Sequence, residues 1–181
     1  MKENKNRNPK DMLAELIDCG IVKNFEKCRM DELIGAPNYL RIKQEEKQEL
    51  QPDPSMFDIR TFLTENIVIP LGTPYIKENI EKMNYFHFFG PHGSGKTMAV
   101  RAIQTETDSI IIDLSPSSWE KLDPNKYYDK NGISRILYMS FEVARKYQPA
   151  IIYIDEVESG CGYYLDYLAL ELCEKNAQKI C

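Results

Sequence analysis

No apolar run in this 181-residue sequence approaches the ~18–20 residues that a membrane-crossing helix needs, so no membrane partner is expected. The first ten residues, MKENKNRNPK, hold no apolar core of the kind a secretory leader requires. Basic charge is in deficit: 23 Lys and Arg stand against 28 Asp and Glu, for a formal net charge of −5. A general nucleic-acid binder would present a basic surplus, so nucleic acid is not an expected partner. Histidine is scarce, and the five cysteines (Cys19, Cys28, Cys161, Cys173, Cys181) are odd in number and form no C-x-x-C pair. Neither a zinc site nor a disulfide framework has the spacing it would need, and free thiols in a reducing compartment are expected. What is present is ordinary for a chain that buries a core: 43% hydrophobic and 28% charged residues. The length suits one domain plus an extension.

The organisation reads as follows. Residues 1–10 form a basic tail, either solvated or in contact with an acidic surface such as tubulin. Residues 11–80 read as a helical extension and linker. Asn8-Pro9 is a cap followed by a first-turn proline, Leu13, Leu16 and Ile17 form an apolar stripe, and Gly20 is a stop. A second short helix spans 30–34, residues 42–54 are a polar loop, Ser55 caps a helix through Leu63, and 67–74 reads as extended. From 81 to 158 strand and helix signals alternate, which predicts an α/β domain with a parallel sheet. Its strands are expected at 85–89, 109–114 and 150–154, with helices over 97–105 and 133–147. Residues 159–181 hold a final amphipathic helix near 163–179.

Two motifs carry chemistry. Gly90-Pro91-His92-Gly93-Ser94-Gly95-Lys96-Thr97 fits G-x-x-x-x-G-K-[ST], with a strand signal before it and a helix signal after it. Glycines let successive backbone N–H groups wrap a phosphate, and the helix start adds its positive dipole end. Lys96 is suited to the β- and γ-phosphates and Thr97 to Mg²⁺. The second motif, Ile151-Ile152-Tyr153-Ile154-Asp155-Glu156, delivers two acids at the end of a buried strand. Asp155 is the expected Mg²⁺ ligand and Glu156 the base for an attacking water. Blander readings attach to other residues: His92 as an exposed loop residue, His87 as packing, Trp119 as a loop anchor, Tyr127 and Tyr128 as loop packing rather than pore contacts, and Arg135 and Arg145 as ion pairs.

With those residues in view, FFGPHGSGKT, IIDLSPSS and ARKYQPAIIYIDE resemble the corresponding stretches of AAA ATPases. GIVKNF (20–25), DELIGAPNYL (31–40), PSMFDIR (54–60) and IPLGTP (69–74) resemble the segment before the core in IQ-and-AAA-domain proteins, subunits of the ciliary nexin–dynein regulatory complex. The resemblance covers roughly residues 13–158. It implies ATP or ADP with Mg²⁺, bound by Gly90, Pro91, His92, Gly93, Ser94, Gly95, Lys96, Thr97 and Met98, with Asp155 beside the metal and Glu156 and Lys96 as the catalytic pair. It also implies an axonemal location, with other regulatory-complex subunits and the doublet microtubule surface as partners, in a hetero-assembly rather than a homo-hexamer.

Three departures from the family bear on function. No IQ motif is present, YYDKNG (127–132) stands where the aromatic pore loop would be, and the pattern ends near Glu158. The family sheet has strand order 5-1-4-3-2, and the sequence lacks a fourth strand, the polar sensor, the arginine finger and the lid. The chain is therefore expected to be a partial core completed by a larger assembly. Three functions remain open: a structural nucleotide-binding subunit, an active Mg-dependent ATPase with a regulatory role, or a ring-forming remodelling enzyme, the last disfavoured by the absent pore loop and lid.

Overall fold

The computed structural model describes residues 7–39, 54–73, 75 and 85–156. In chain order it contains α1 (Pro9–Asp18), β1 (Val22–Lys23), a 3-10 turn (Met30–Glu32), α2 (Met56–Leu63), a π-helical turn (Thr64–Val68), α3 (Ile69–Gly72), α4 (Lys96–Thr107), β2 (Ile110–Asp113), α5 (Pro116–Trp119), α6 (Pro124–Tyr127), α7 (Lys130–Lys146) and β3 (Ala150–Tyr153). The tail up to residue 6, most of the 42–54 loop and the helix expected at 163–179 lie outside the described residues. Two compact units result: residues 7–24 with 110–156, and a second unit drawn from 25–109.

In the first unit, α1 begins where its sequence says it should. The Asn8 side chain accepts a hydrogen bond from the Lys10 amide, satisfying a donor that has no helical partner, and Pro9 supplies a fixed φ. At its other end the Gly20 amide donates to Ile17 and the Ile21 amide to Leu16, the paired bonds of a glycine-terminated helix, with Gly20 at φ +70°. Nothing lies within 4 Å of a Cβ built there, so Gly20→Ala is a pure backbone test. We expect a loss of about 1 kcal/mol in urea unfolding; no measurable change would remove the cap from the account.

Of the expected stripe of α1, Leu16 is fully buried and Leu13 packs partly buried against the core, but Ile17 does not; Met12 takes its place. Ile17 is 53% exposed, because the i, i+4 pair Met12–Leu16 takes the face turned to α7 and the next position falls about 100° away.

β2 and β3 pair in parallel, Ile110 opposite Ala150 through Asp113 opposite Tyr153, and α7 makes the crossover between them. The third strand of this sheet is one the sequence did not suggest. β1 pairs antiparallel with β2, Val22 opposite Ile112, giving a small mixed sheet of order β1-β2-β3. The stretch 85–89, expected as the first strand, carries no strand. A strand exists only with a neighbour to take its N–H and C=O groups, and an aromatic apolar run does not supply one.

α7 is buried on more than one side. Ile136, Leu137, Met139, Ser140 and Val143 are all fully enclosed, packed with Leu16, Ile21, Ile112 and Leu114. Glu15 pins α1 to this helix. Arg135 Nη2 lies 2.7 and 2.9 Å from its two carboxylate oxygens, Arg7 at 2.7 Å and Lys126 at 3.4 Å, and the Tyr127 hydroxyl donates to it at 2.8 Å. Tyr127 is thus core packing, while Tyr128 is 53% exposed. Arg145 pairs with Glu142 on the surface.

The second unit centres on α4. Ala99, Val100, Ala102 and Ile103 are its buried face, against the π-helical turn and the 3-10 turn. Side chains from one turn of α4 accept loop amides: Gln104 from Phe25, Thr105 from Cys28 and Glu106 from Met30. α2 opens on a reciprocal cap, in which the Ser55 amide donates to Asp58 and the Asp58 amide to Ser55. Past Leu63 the chain stays helical to Gly72, which corrects the extended reading of 67–74. Pro70 cannot donate to a carbonyl four residues back, and its ring would crowd that carbonyl in an α-helix. The preceding turn widens instead: Ile69 donates five residues back, to Thr64.

Candidate nucleotide site

The glycine loop lies in the second unit, and its geometry is that of a cradle. Gly90 and Gly95 have φ of +152° and +91°, which a side chain would strain. A Cβ at Gly90 would also stand 3.2 Å from the Ser94 hydroxyl. Lys96 reaches back over the loop, its Nζ donating to the Gly90 carbonyl at 2.8 Å and the Pro91 carbonyl at 2.9 Å. The ammonium is therefore held beside the loop backbone rather than swinging freely.

Pro91, His92, Gly93 and Ser94 are exposed, and Lys96, Thr97 and Met98 are half-buried in the first turn of α4. That turn exposes amide groups without helical acceptors, with the positive end of the helix dipole behind them. Exposed amides, a fixed ammonium and left-handed glycines together suit a polyphosphate. His87 is exposed and tilts against Phe89, with ring centroids 6.0 Å apart.

The two acids lie in the first unit, just past β3. Asp155 is half-buried; its carboxylate accepts from the Tyr153 hydroxyl at 2.7 Å and from the Glu156 amide at 3.1 Å. Glu156 is exposed, at φ +48°. A strained backbone at a strand end is a common property of functional positions.

Behind the acids lies a polar cluster that the motifs did not announce. The Asp155 amide donates to the Ser115 hydroxyl at 2.8 Å. The Ser115 hydroxyl and amide both donate to Asp113, which also accepts from Ser118 and from Lys23 on β1. Lys23 reaches Ser118 as well, at 2.7 Å. Asp113, Ser115 and Ser118 are all buried. Burial pushes the Asp113 carboxyl up, but the Lys23 ammonium and the serine hydrogen bonds outweigh it and hold the group below its ordinary range. The signal available was the run Asp113-Leu114-Ser115-Pro116-Ser117-Ser118 after a strand; its partner Lys23, 90 positions away, gave none.

Thr97 carries a hydroxyl in the second unit and Asp155 a carboxylate in the first, and each by itself is a hard oxygen donor of the kind Mg²⁺ takes. Among the described residues no group of three or more His, Cys, Asp or Glu forms a metal cage.

Residues 86–164 match the model of the ATPase family associated with various cellular activities (AAA), and the chain carries an AAA-type P-loop segment with a partial α/β core. It is 30% identical to Dynein regulatory complex protein 11 of Mus musculus over 147 residues, 81% of this chain and 17% of that protein. It is 34% identical to Protein SAP1 of Saccharomyces cerevisiae over 101 residues, 55% of this chain and 11% of that one. It is 31% identical to Outer mitochondrial transmembrane helix translocase of Xenopus tropicalis over 105 residues, 56% of this chain and 28% of that one. The chain therefore spans less than a third of the length of each of these relatives.

Proposed function

We propose that this chain is a structural, adenine-nucleotide-binding AAA-type subunit of an axonemal nexin–dynein regulatory complex, supporting ciliary motility. The observation that carries the nucleotide half is Lys96, fastened across a loop of left-handed glycines at the start of α4. The axonemal half is supported by the reach of the match to Dynein regulatory complex protein 11, which is longer than the AAA segment and so takes in upstream sequence. In this reading Gly90 to Met98 cradle the phosphates of ATP or ADP, Lys96 neutralises them, and Thr97 and Asp155 hold Mg²⁺. The metal, when bound, screens the phosphate charge. The partners are other regulatory-complex subunits and the doublet surface, in a hetero-assembly.

Thermal unfolding tests the nucleotide half. Nucleotide at 100-fold its Kd adds about 2.7 kcal/mol and should raise Tm by roughly 5–10 °C; an unchanged Tm at millimolar nucleotide contradicts it. For the axonemal half, tagged chain in ciliated cells should stay on axonemes after detergent extraction, and complete extraction would overturn it.

A second reading, an active Mg-dependent ATPase with a regulatory or remodelling role, is favoured by one feature: Glu156 stands exposed directly beside Asp155. If it orients the attacking water, Glu156→Gln lowers turnover by about 10²–10⁴-fold and leaves nucleotide affinity within a few fold. Equal turnover in the two proteins would remove this reading and leave the first standing.

A further inference from the structure

We propose that Ser115 is a positioning residue for the magnesium end of the site, itself oriented by Asp113 and by Lys23 of the upstream extension. The proposal rests on the reading of Asp155 as a metal-side acid and goes beyond it, because it assigns the control of that acid to residues outside both motifs.

Asp155 sits where β3 has ended and no ladder bond holds its amide. Ser115 takes that amide at 2.8 Å, and its own hydroxyl hydrogen is committed to Asp113. The hydroxyl therefore accepts from one side and donates to the other, and its orientation is fixed at both ends. The Ser115 amide adds a second bond to the same Asp113 oxygen, at 2.9 Å, so the serine backbone is held as well as its side chain. Asp113 is only 3% exposed and would be costly to bury without a cation. Lys23 supplies it, from a strand paired to β2 beside Asp113. A chain of three contacts thus runs from the ammonium of β1 through Asp113 and Ser115 to the backbone of Asp155. Tightening or loosening β1 changes where that backbone sits, and with it the Asp155 carboxylate.

Outer partners of this kind typically govern metal affinity by 10–100-fold without touching the metal. Ser118 provides the internal control. It is as buried as Ser115 and bonded to the same Asp113 and Lys23, but it makes no bond to Asp155.

The test measures adenine-nucleotide affinity of the full chain, with Mg²⁺ and in EDTA, beside thermal stability. Wild type should bind more tightly with Mg²⁺. Ser115→Ala should lose about tenfold of that enhancement while its EDTA affinity, which reports the glycine loop, stays the same. Ser118→Ala should lose comparable stability and keep the enhancement. Lys23→Met should follow Ser115→Ala, and Lys23→Arg should restore most of the effect. The proposal is overturned if Ser115→Ala keeps the full enhancement, or if both serine variants lose affinity equally with and without Mg²⁺, since that is a purely structural role. If wild type itself shows no Mg²⁺ enhancement, the metal-side reading of Asp155 fails and the proposal falls with it.

Discussion

Replacing Lys96 by alanine lowers the affinity for ADP and ATP by roughly 100-fold, the ~3 kcal/mol expected of a charged donor on a phosphate. Two losses combine in that number. The ammonium no longer neutralises the phosphates, and the bonds to the Gly90 and Pro91 carbonyls that hold the loop over α4 disappear. Lys96→Met suffers both losses and restores only the aliphatic stem, so it should behave like the alanine variant. The fold should survive either change, since the buried face of α4 begins at Ala99 and owes nothing to this side chain. Isothermal titration with unchanged far-UV circular dichroism checks the prediction; affinity within threefold of wild type would mean that the loop does not hold phosphate through Lys96.

The second large effect concerns stability. Glu15 is only 12% exposed and faces Arg7, Lys126 and Arg135. Burial raises its carboxyl, but the hydrogen bonds from Arg135, Tyr127 and Arg7 more than reverse this and bring it down to about 2, from an ordinary 4.5. A folded value below the unfolded one means that the stabilisation is present above about pH 4.5. It is lost progressively as pH falls toward 2. Its size is on the order of 3 kcal/mol.

Glu15→Gln removes the charge and leaves three partly exposed cations around a neutral group, at a cost of about 2–3 kcal/mol. The variant should also lose most of the acid dependence between pH 4.5 and 2. Urea unfolding of both proteins at pH 7 and pH 3 checks this. A difference between them that is the same at both pH values would contradict the ionic account of Glu15.

Sequence and structure agree where the signal is local. The Asn8-Pro9 cap, the Gly20 stop, the Ser55 cap and the strands at Ile110 and Ala150 depend on neighbours a few positions away, and all appear. The glycine loop belongs with them, because a positive φ asks for glycine at that position whatever packs around it.

Disagreements arise where a distant partner decides. β1 is two residues long and carries no pattern; it exists because Ile111 and Ile112 offer an edge. Residues 85–89 carry a pattern and form no strand. The prolines of 67–74 suggested extended chain, but one widened turn absorbs Pro70 and the helix continues. The supports of Asp155 were illegible for the same reason, since Lys23 and Asp113 meet across 90 positions.

The central claim is that the loop from Gly90 to Thr97 binds an adenine nucleotide in company with Mg²⁺. Equilibrium binding of a fluorescent ADP to the purified chain, with Mg²⁺ and in EDTA, tests it most directly. The account predicts saturable one-to-one binding, tighter with Mg²⁺ and displaced by unlabelled ADP and ATP. A folded, soluble chain that shows no saturable binding at millimolar nucleotide would contradict it.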